Sequence, residues 1–215
     1  MPIGHTATRL LPGACLLATF LICGTVDAAQ NTTTPDTAQP TRASAIFAGG
    51  CFWCMEPPFD KLEGVISTTS GYTGGQTPSP SYEQVSAGGT GHAEAVRIVY
   101  DPQKIDYKTL LDVFWHNVDP VDFGGQFCDR GNQYRSAIFY ENEEQRELAE
   151  RSRDELAQSG RLDAPIATEI APASAFYPAE DYHQDYYHKN TLRYHFYRYN
   201  CGRDQRLETL WGNGE

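Results

Sequence analysis

The 215-residue chain carries 17 basic and 28 acidic side chains, a formal charge of −11, with 40% hydrophobic and 12% aromatic residues. That is enough for one packed domain and too little for several. The acidic balance, with no long basic run, lacks the counterion-displacing surface that phosphate backbones need, so nucleic acid is excluded as an expected partner.

Leu10 to Val26 is an apolar run behind Arg9, interrupted by Pro12 and Gly13 and closed by Val26-Asp27-Ala28. A positive start, a short apolar stretch and a small-residue exit describe a signal peptide over residues 1–28, cleaved near Ala28, which predicts an exported, periplasmic protein. The run is too short and broken for a comfortable membrane span, and a retained anchor is the competing reading. Residues 29–44 hold no aliphatic side chain larger than alanine and read as a disordered linker, because they bury too little to offset their ordering entropy. The folded domain is therefore expected over residues 45–215.

Ala45 to Ala48 suits a buried strand ended by Gly49-Gly50, and Val65 to Tyr72 a second strand. Ala93 to Tyr100 alternates with period two, placing Glu94, Val96, Ile98 and Tyr100 on one face of a third strand. Behind Asp106 as N-cap, the apolar positions from Tyr107 to Val118 recur at helical spacing. Arg135 to Tyr140 reads as a strand. Asn142 with Gln145 opens a mostly polar surface helix that stops at Gly160, and Ala164 to Ala171 is a further strand. Tyrosines cluster between Tyr177 and Tyr199, where Tyr182 and Tyr186 suit a packed helical face, followed by an irregular C-terminal tail bearing Cys201. Strands and helices interleave without regular βαβ crossovers, so the fold class is α+β: a mixed sheet with packed helices, a two-layer sandwich.

Outside the leader lie four cysteines, Cys51, Cys54, Cys128 and Cys201. In an oxidising compartment an even count suggests two structural disulfides. Cys51 and Cys54, however, sit in Gly49-Gly50-Cys51-Phe52-Trp53-Cys54-Met55-Glu56 where a strand gives way to a helix. Free N–H groups and the positive helix end there predict a lowered Cys51 pKa. Pro57-Pro58 would interrupt a helix begun at Cys51, which moves the expected start toward Cys54 or Glu56. Zinc is disfavoured because no second cysteine pair completes a four-thiolate set, so no metal is expected. Glu94, on the apolar face of its strand, would hold its proton near neutrality and suits a general acid; the competing reading leaves it at a wet strand end. Gly124 to Ser136 is a glycine-punctuated loop rich in hydrogen-bonding groups.

The chain resembles the type A peptide methionine sulfoxide reductases, which reduce the S epimer of methionine sulfoxide. The resemblance rests on Gly50-Cys51-Phe52-Trp53-Cys54-Met55-Glu56, Ser70-Gly71-Tyr72-Thr73-Gly74-Gly75, Tyr82-Glu83-Gln84-Val85 and Gly91-His92-Ala93-Glu94-Ala95-Val96. Gln133-Tyr134-Arg135-Ser136 and Ala179-Glu180-Asp181-Tyr182-His183-Gln184 complete it. It implies a ferredoxin-like core and Cys51 as the nucleophile. It further implies Glu94 as the acid, Tyr82 and Tyr134 as donors to the sulfoxide oxygen, Phe52 and Trp53 as the wall for the S-methyl group, and Asp129 as a polar contact. Thiolate attack would leave a sulfenic acid on Cys51 that a second thiol condenses with. Cys201 is the first candidate for that resolving thiol, then Cys54, with Cys128 last. The resemblance also implies a monomer with no bound cofactor, re-reduced by an external thioredoxin-like dithiol. A thioredoxin-like thiol-disulfide oxidoreductase and a non-enzymatic domain stapled by two disulfides are the alternatives.

Overall fold

The computed structural model describes residues 41–212, so the expected signal peptide and most of the linker lie outside the described residues. Three strands form the centre: β1 (Ala43–Gly49), β2 (Val65–Thr73) and β3 (Ala93–Tyr100). The first strand begins inside the expected linker, because Ala43 and Ser44 pair with Tyr100 and Val99 of β3 and so have their backbone groups satisfied. Helix α1 (Phe52–Asp60) joins β1 to β2, and α3 (Tyr107–Trp115) joins β3 to β6 (Ser136–Tyr140), after a short α2 (Tyr82–Ser86). The sheet order is β7-β6-β1-β3-β2-β8, with β7 (Glu169–Pro172) parallel to β6 and β8 (Tyr177–Pro178) on the far edge. Within it, β6-β1-β3-β2 with two crossover helices is the ferredoxin-like core.

Alternation splits the strands between two clusters. Ala45, Phe47, Val96, Ile98, Tyr100 and Ile138 face Met55 and Phe59 of α1 and Leu110, Leu111 and Phe114 of α3. Ile46, Ala48, Ala93, Ala95, Ala137 and Phe139 form the other face, under Ala171, Ala173 and Phe176. Asp106 caps α3 by accepting the Thr109 N–H at 2.7 Å, and Asn142 caps α4 (Glu143–Gln158) by accepting the Gln145 N–H at 2.9 Å, both as the sequence predicts. The strand expected from Ala164 forms only from Glu169 onward.

Two local expectations are corrected. Helix α1 starts at Phe52 rather than nearer Cys54 or Glu56 and runs through Pro57 and Pro58. Proline's φ is already helical; what it removes is two N–H donors, a tolerable loss in a nine-residue helix whose Met55, Pro57 and Phe59 are buried. The C-terminal tail is helical, not irregular: α5 (Tyr186–Lys189), α6 (Thr191–Asn200) and α7 (Arg203–Trp211), the last two separated by Gly202 at φ 69°. These helices dock through a mixed set of buried side chains, Tyr186 of α5, Tyr194 of α6, and Arg203, Leu207 and Leu210 of α7, rather than a long aliphatic stripe. Just ahead of them, Gln184 fixes the chain to the sheet by accepting from the Ser70 N–H at 2.8 Å and donating to the Ser70 carbonyl at 2.9 Å. Among the described residues, no helix is long and apolar enough to cross a membrane.

Candidate active site

The turn after β1 delivers Cys51. Gly50 adopts φ +81°, and a Cβ there would lie 2.7 Å from the Gln126 side chain, so only glycine allows the chain to turn so tightly. Cys51 becomes the N-cap of α1, 6% exposed, and Cys54 lies one turn on, 1% exposed. Both are free thiols. Cys51, Phe52, Trp53, Tyr82, Glu94, Asp129, Tyr134 and Tyr197 together enclose a cavity of about 70 Å³. Every nucleophile, acid, donor and wall residue expected from the sequence therefore lines one site, and Cys54 sits directly behind it.

Glu94 enters from β3 opposite Tyr72 of β2 and is 2% exposed. The Phe52 N–H donates to its Oε2 at 3.1 Å, leaving Oε1 to carry a proton. Burial pushes its carboxyl up to about 8, against a smaller opposing effect of that hydrogen bond, so the group is neutral at pH 7. The wet-end alternative for Glu94 is thereby excluded. The Tyr82 and Tyr134 phenols are also raised by burial, Tyr82 to about 12, with neighbouring Glu94 adding to each. Both are protonated donors at neutral pH.

The expected low pKa of Cys51 is overturned. Burial is the largest cause that raises it, followed by its hydrogen bond to Cys54 and the negative potential of Glu94. The local helix-end argument fails because the first N–H of α1 is taken by Glu94 from a distant strand. Cys54 is the more acidic member of the pair, at about 6: it accepts the Cys51 hydrogen bond, which outweighs its burial, and senses Arg203 and Arg198.

The wall is rigid. Trp53 stacks on Tyr186 with ring centroids 3.7 Å apart and planes 7° from parallel, and its indole N–H donates to His183 Nδ1 at 3.0 Å. His183, 1% exposed, also packs against Phe52 and Tyr82, and burial lowers its pKa, so the neutral ring that accepts from Trp53 is favoured. Glu180 accepts from the Tyr72 hydroxyl and the Tyr82 N–H, both at 2.9 Å, which holds α2 and Tyr82 at the mouth. Asp129 comes from a small hairpin, β4 (Gly125–Gln126) with β5 (Asp129–Arg130), and accepts from the Tyr197 hydroxyl. Tyr197, His183 and Glu180 escaped the sequence reading as functional side chains; the family motif through Glu180 and His183 was their available signal.

Cys128 and Cys201 are joined in a disulfide at the site's edge. Cys201, the thiol ranked first for resolving, is thus bonded to the one ranked last, while Cys54 remains free beside Cys51. The chain ordering in the sequence could not pair residues separated by 73 positions.

A sequence model of the peptide methionine sulfoxide reductases matches residues 43–215. A peptide methionine sulfoxide reductase MsrA of Bacillus licheniformis is 53% identical over 171 residues, covering 80% of this chain and 94% of that protein. The protein of the same name from Streptococcus uberis is 59% identical over 150 residues, covering 70% and 89%. Among solved structures, methionine sulfoxide reductase A of Corynebacterium diphtheriae aligns with a TM-score of 0.64 at 37% identity, over 72% of this chain and 78% of that one. Reduced Mxr1 of Saccharomyces cerevisiae aligns at the same TM-score and 34% identity, over 70% and 86%. With a buried thiol facing a neutral carboxylic acid and two phenols, and with this extent of similarity, the chain belongs to the type A peptide methionine sulfoxide reductase family.

Proposed function

We propose that this chain repairs S-epimer methionine sulfoxide in exported proteins, using Cys51 as nucleophile, Glu94 as acid and Cys54 as resolving thiol. Reduction of methionine sulfoxide with formation of a cysteine disulfide comes with the family; the residue roles and the compartment are our reading. The observation that carries it is the convergence of Cys51, neutral Glu94, Tyr82 and Tyr134 on one cavity of about 70 Å³.

The S-methyl group rests on Phe52 and Trp53, and the oxygen points to Glu94, Tyr82 and Tyr134. A sulfoxide oxygen leaves poorly until protonated, so a neutral acid and two neutral phenols stabilise the charge that develops on it. The Cys51 sulfur attacks the substrate sulfur as Glu94 protonates the oxygen. The substrate S–O bond breaks and the oxygen, now a hydroxyl, passes to the Cys51 sulfur while the Cys51 thiol proton returns to Glu94. The substrate sulfur gains two electrons and leaves as methionine, and Cys51 loses two and carries the oxygen as sulfenic acid. The Cys54 thiolate then attacks the Cys51 sulfur, the S–O bond breaks, and the oxygen departs with a proton as water. A thioredoxin-like dithiol of the exported compartment reduces the resulting disulfide. A thioredoxin-like exchange activity would leave the acid and both phenols without a task.

The test is incubation of the protein with each epimer of methionine sulfoxide and dithiothreitol. Methionine should form from the S epimer alone and not with Cys51→Ser; consumption of the R epimer, or activity in that variant, rejects the assignment. Sequencing the N-terminus of the protein recovered from a periplasmic extract tests the expected cleavage near Ala28.

A further inference from the structure

Arg203 opens α7 and is 1% exposed, among the largest fully buried side chains of the protein. Its Nη2 donates to the Gly49 carbonyl at 2.7 Å, the Asn117 carbonyl at 2.8 Å and the Met55 sulfur at 3.1 Å. Its guanidinium lies 4.5 Å from the centre of the Phe127 ring, and its Nε has no partner. Every one of these contacts is neutral. Arg198, by contrast, is neutralised by Asp204 at 2.5 Å. A buried guanidinium held only by neutral groups is costly, because it has lost its hydration without gaining a counter-charge. Two of its neighbours, Gly49 and Met55, flank the segment containing Cys51 and Cys54. Its charge is sensed by Asp129 on the hairpin and, within that segment, by Cys54.

We propose that Arg203 is a positioning residue for the resolving step, supplying the fixed positive charge against which Cys54 becomes the thiolate that attacks the Cys51 sulfenic acid. The inference rests on Cys54 being the resolving thiol. In the resting protein Cys54 also accepts the Cys51 S–H hydrogen bond. Once Cys51 has been oxidised that donor has changed, whereas the arginine charge stays in place when the thiolate is needed. The other charged or titratable groups around Cys54 are Cys51 and Glu94 at the cavity, Asp129 on the hairpin, and Arg198, Tyr194 and Tyr197 on α6. Asp129 opposes ionisation of Cys54, and Arg198 supports it less than Arg203 does. The Cys128–Cys201 bridge has a place in this arrangement: Phe127 precedes one half-cystine and Arg203 follows the other by two residues, so the bridge ties both halves of the cation–aromatic pair together.

The test is a single turnover of the full chain with methionine sulfoxide and no reductant, stopped with a sulfenic acid trap and read by mass spectrometry from pH 5 to 9. In Arg203→Gln a burst of methionine should still form, but the pH midpoint for closure of the Cys51–Cys54 disulfide should move up by about one unit, slowing closure about twofold at pH 7 and about tenfold at pH 5. Arg203→Lys should restore the midpoint. Unchanged closure and midpoint in Arg203→Gln overturn the inference while leaving Cys54 as resolving thiol. A Cys51–Cys201 disulfide in the wild type overturns the Cys54 reading itself. Should Arg203→Gln fail to fold, the pH dependence of Cys54 alkylation in Cys51→Ser decides: a midpoint well below the ordinary thiol value of about 8.5 supports the inference, and an ordinary one rejects it.

Discussion

Replacing Glu94 by Gln should make the protein slower and more stable at once. Burial raises the carboxyl from an ordinary 4.5 to about 8. The native state therefore keeps a proton that the unfolded chain has released over that interval, and wild-type stability falls as pH rises from about 4.5 to about 8. At about 1.4 kcal/mol per unit the whole interval amounts to roughly 5 kcal/mol, of which about 3 kcal/mol is lost by pH 7. Gln cannot ionise, and its amide oxygen can still accept the Phe52 N–H. Urea unfolding of wild type and Glu94→Gln at pH 5, 7 and 9 should show the variant gaining relative stability at each step, with most of the gain complete by pH 8. In single turnover, methionine formation should fall by about 10² to 10⁴. The wild-type rate should decline above pH 8 as the acid loses its proton, and the variant should lack that decline. Equal stability at all three pH values would refute the burial argument, and an unchanged rate would refute the acid role.

The other outcomes concern thiols and donors. Cys54→Ser should give one methionine per chain and then stall with a sulfenic acid on Cys51, whereas Cys201→Ser should still close a disulfide; trapping and peptide mapping distinguish them, and the opposite pattern would restore Cys201 as the resolving thiol. Tyr82→Phe should lower kcat by about 10²-fold while changing KM little, since Tyr134 remains as a donor; steady-state assays with free methionine S-sulfoxide check this. Replacing Cys128 and Cys201 together by Ser frees a loop closed across 73 residues and should cost about 4 kcal/mol in equilibrium unfolding.

What the sequence made legible was whatever depends on neighbours along the chain. The alternation of β3 predicted its limits at Ala93 and Tyr100 and the side of the sheet on which Glu94 lies. Asp106 and Asn142 marked the starts of α3 and α4. Cys51, Glu94, Tyr82, Tyr134, Phe52, Trp53 and Asp129 were nominated by motif and meet at one cavity. The acidity of Cys51 was misjudged because burial, the largest cause of its raised pKa, comes from segments far along the chain, and because Glu94, 42 residues from Phe52, takes the helix-end N–H that the local reading assigned to the thiolate. The Cys128–Cys201 pairing is likewise a product of topology. Helices α6 and α7 were missed because α6 buries little besides Tyr194, and α7 buries Arg203 with only Leu207 and Leu210, too sparse a repeat to stand out in the sequence.

The cavity also bounds what the enzyme can recognise. About 70 Å³ is little more than twice the liquid-phase share of one water molecule, room for the end of a side chain and nothing else of the substrate. The polypeptide bearing the oxidised methionine must stay outside, so its sequence has little to contact within the cavity. Selection among damaged proteins then falls to the clients themselves: an oxidised side chain on a surface loop is served at once, and one lodged in a folded interior waits for local unfolding to project it. Repair rates across a set of oxidised proteins should thus rank with the opening free energies of the segments that carry the lesion.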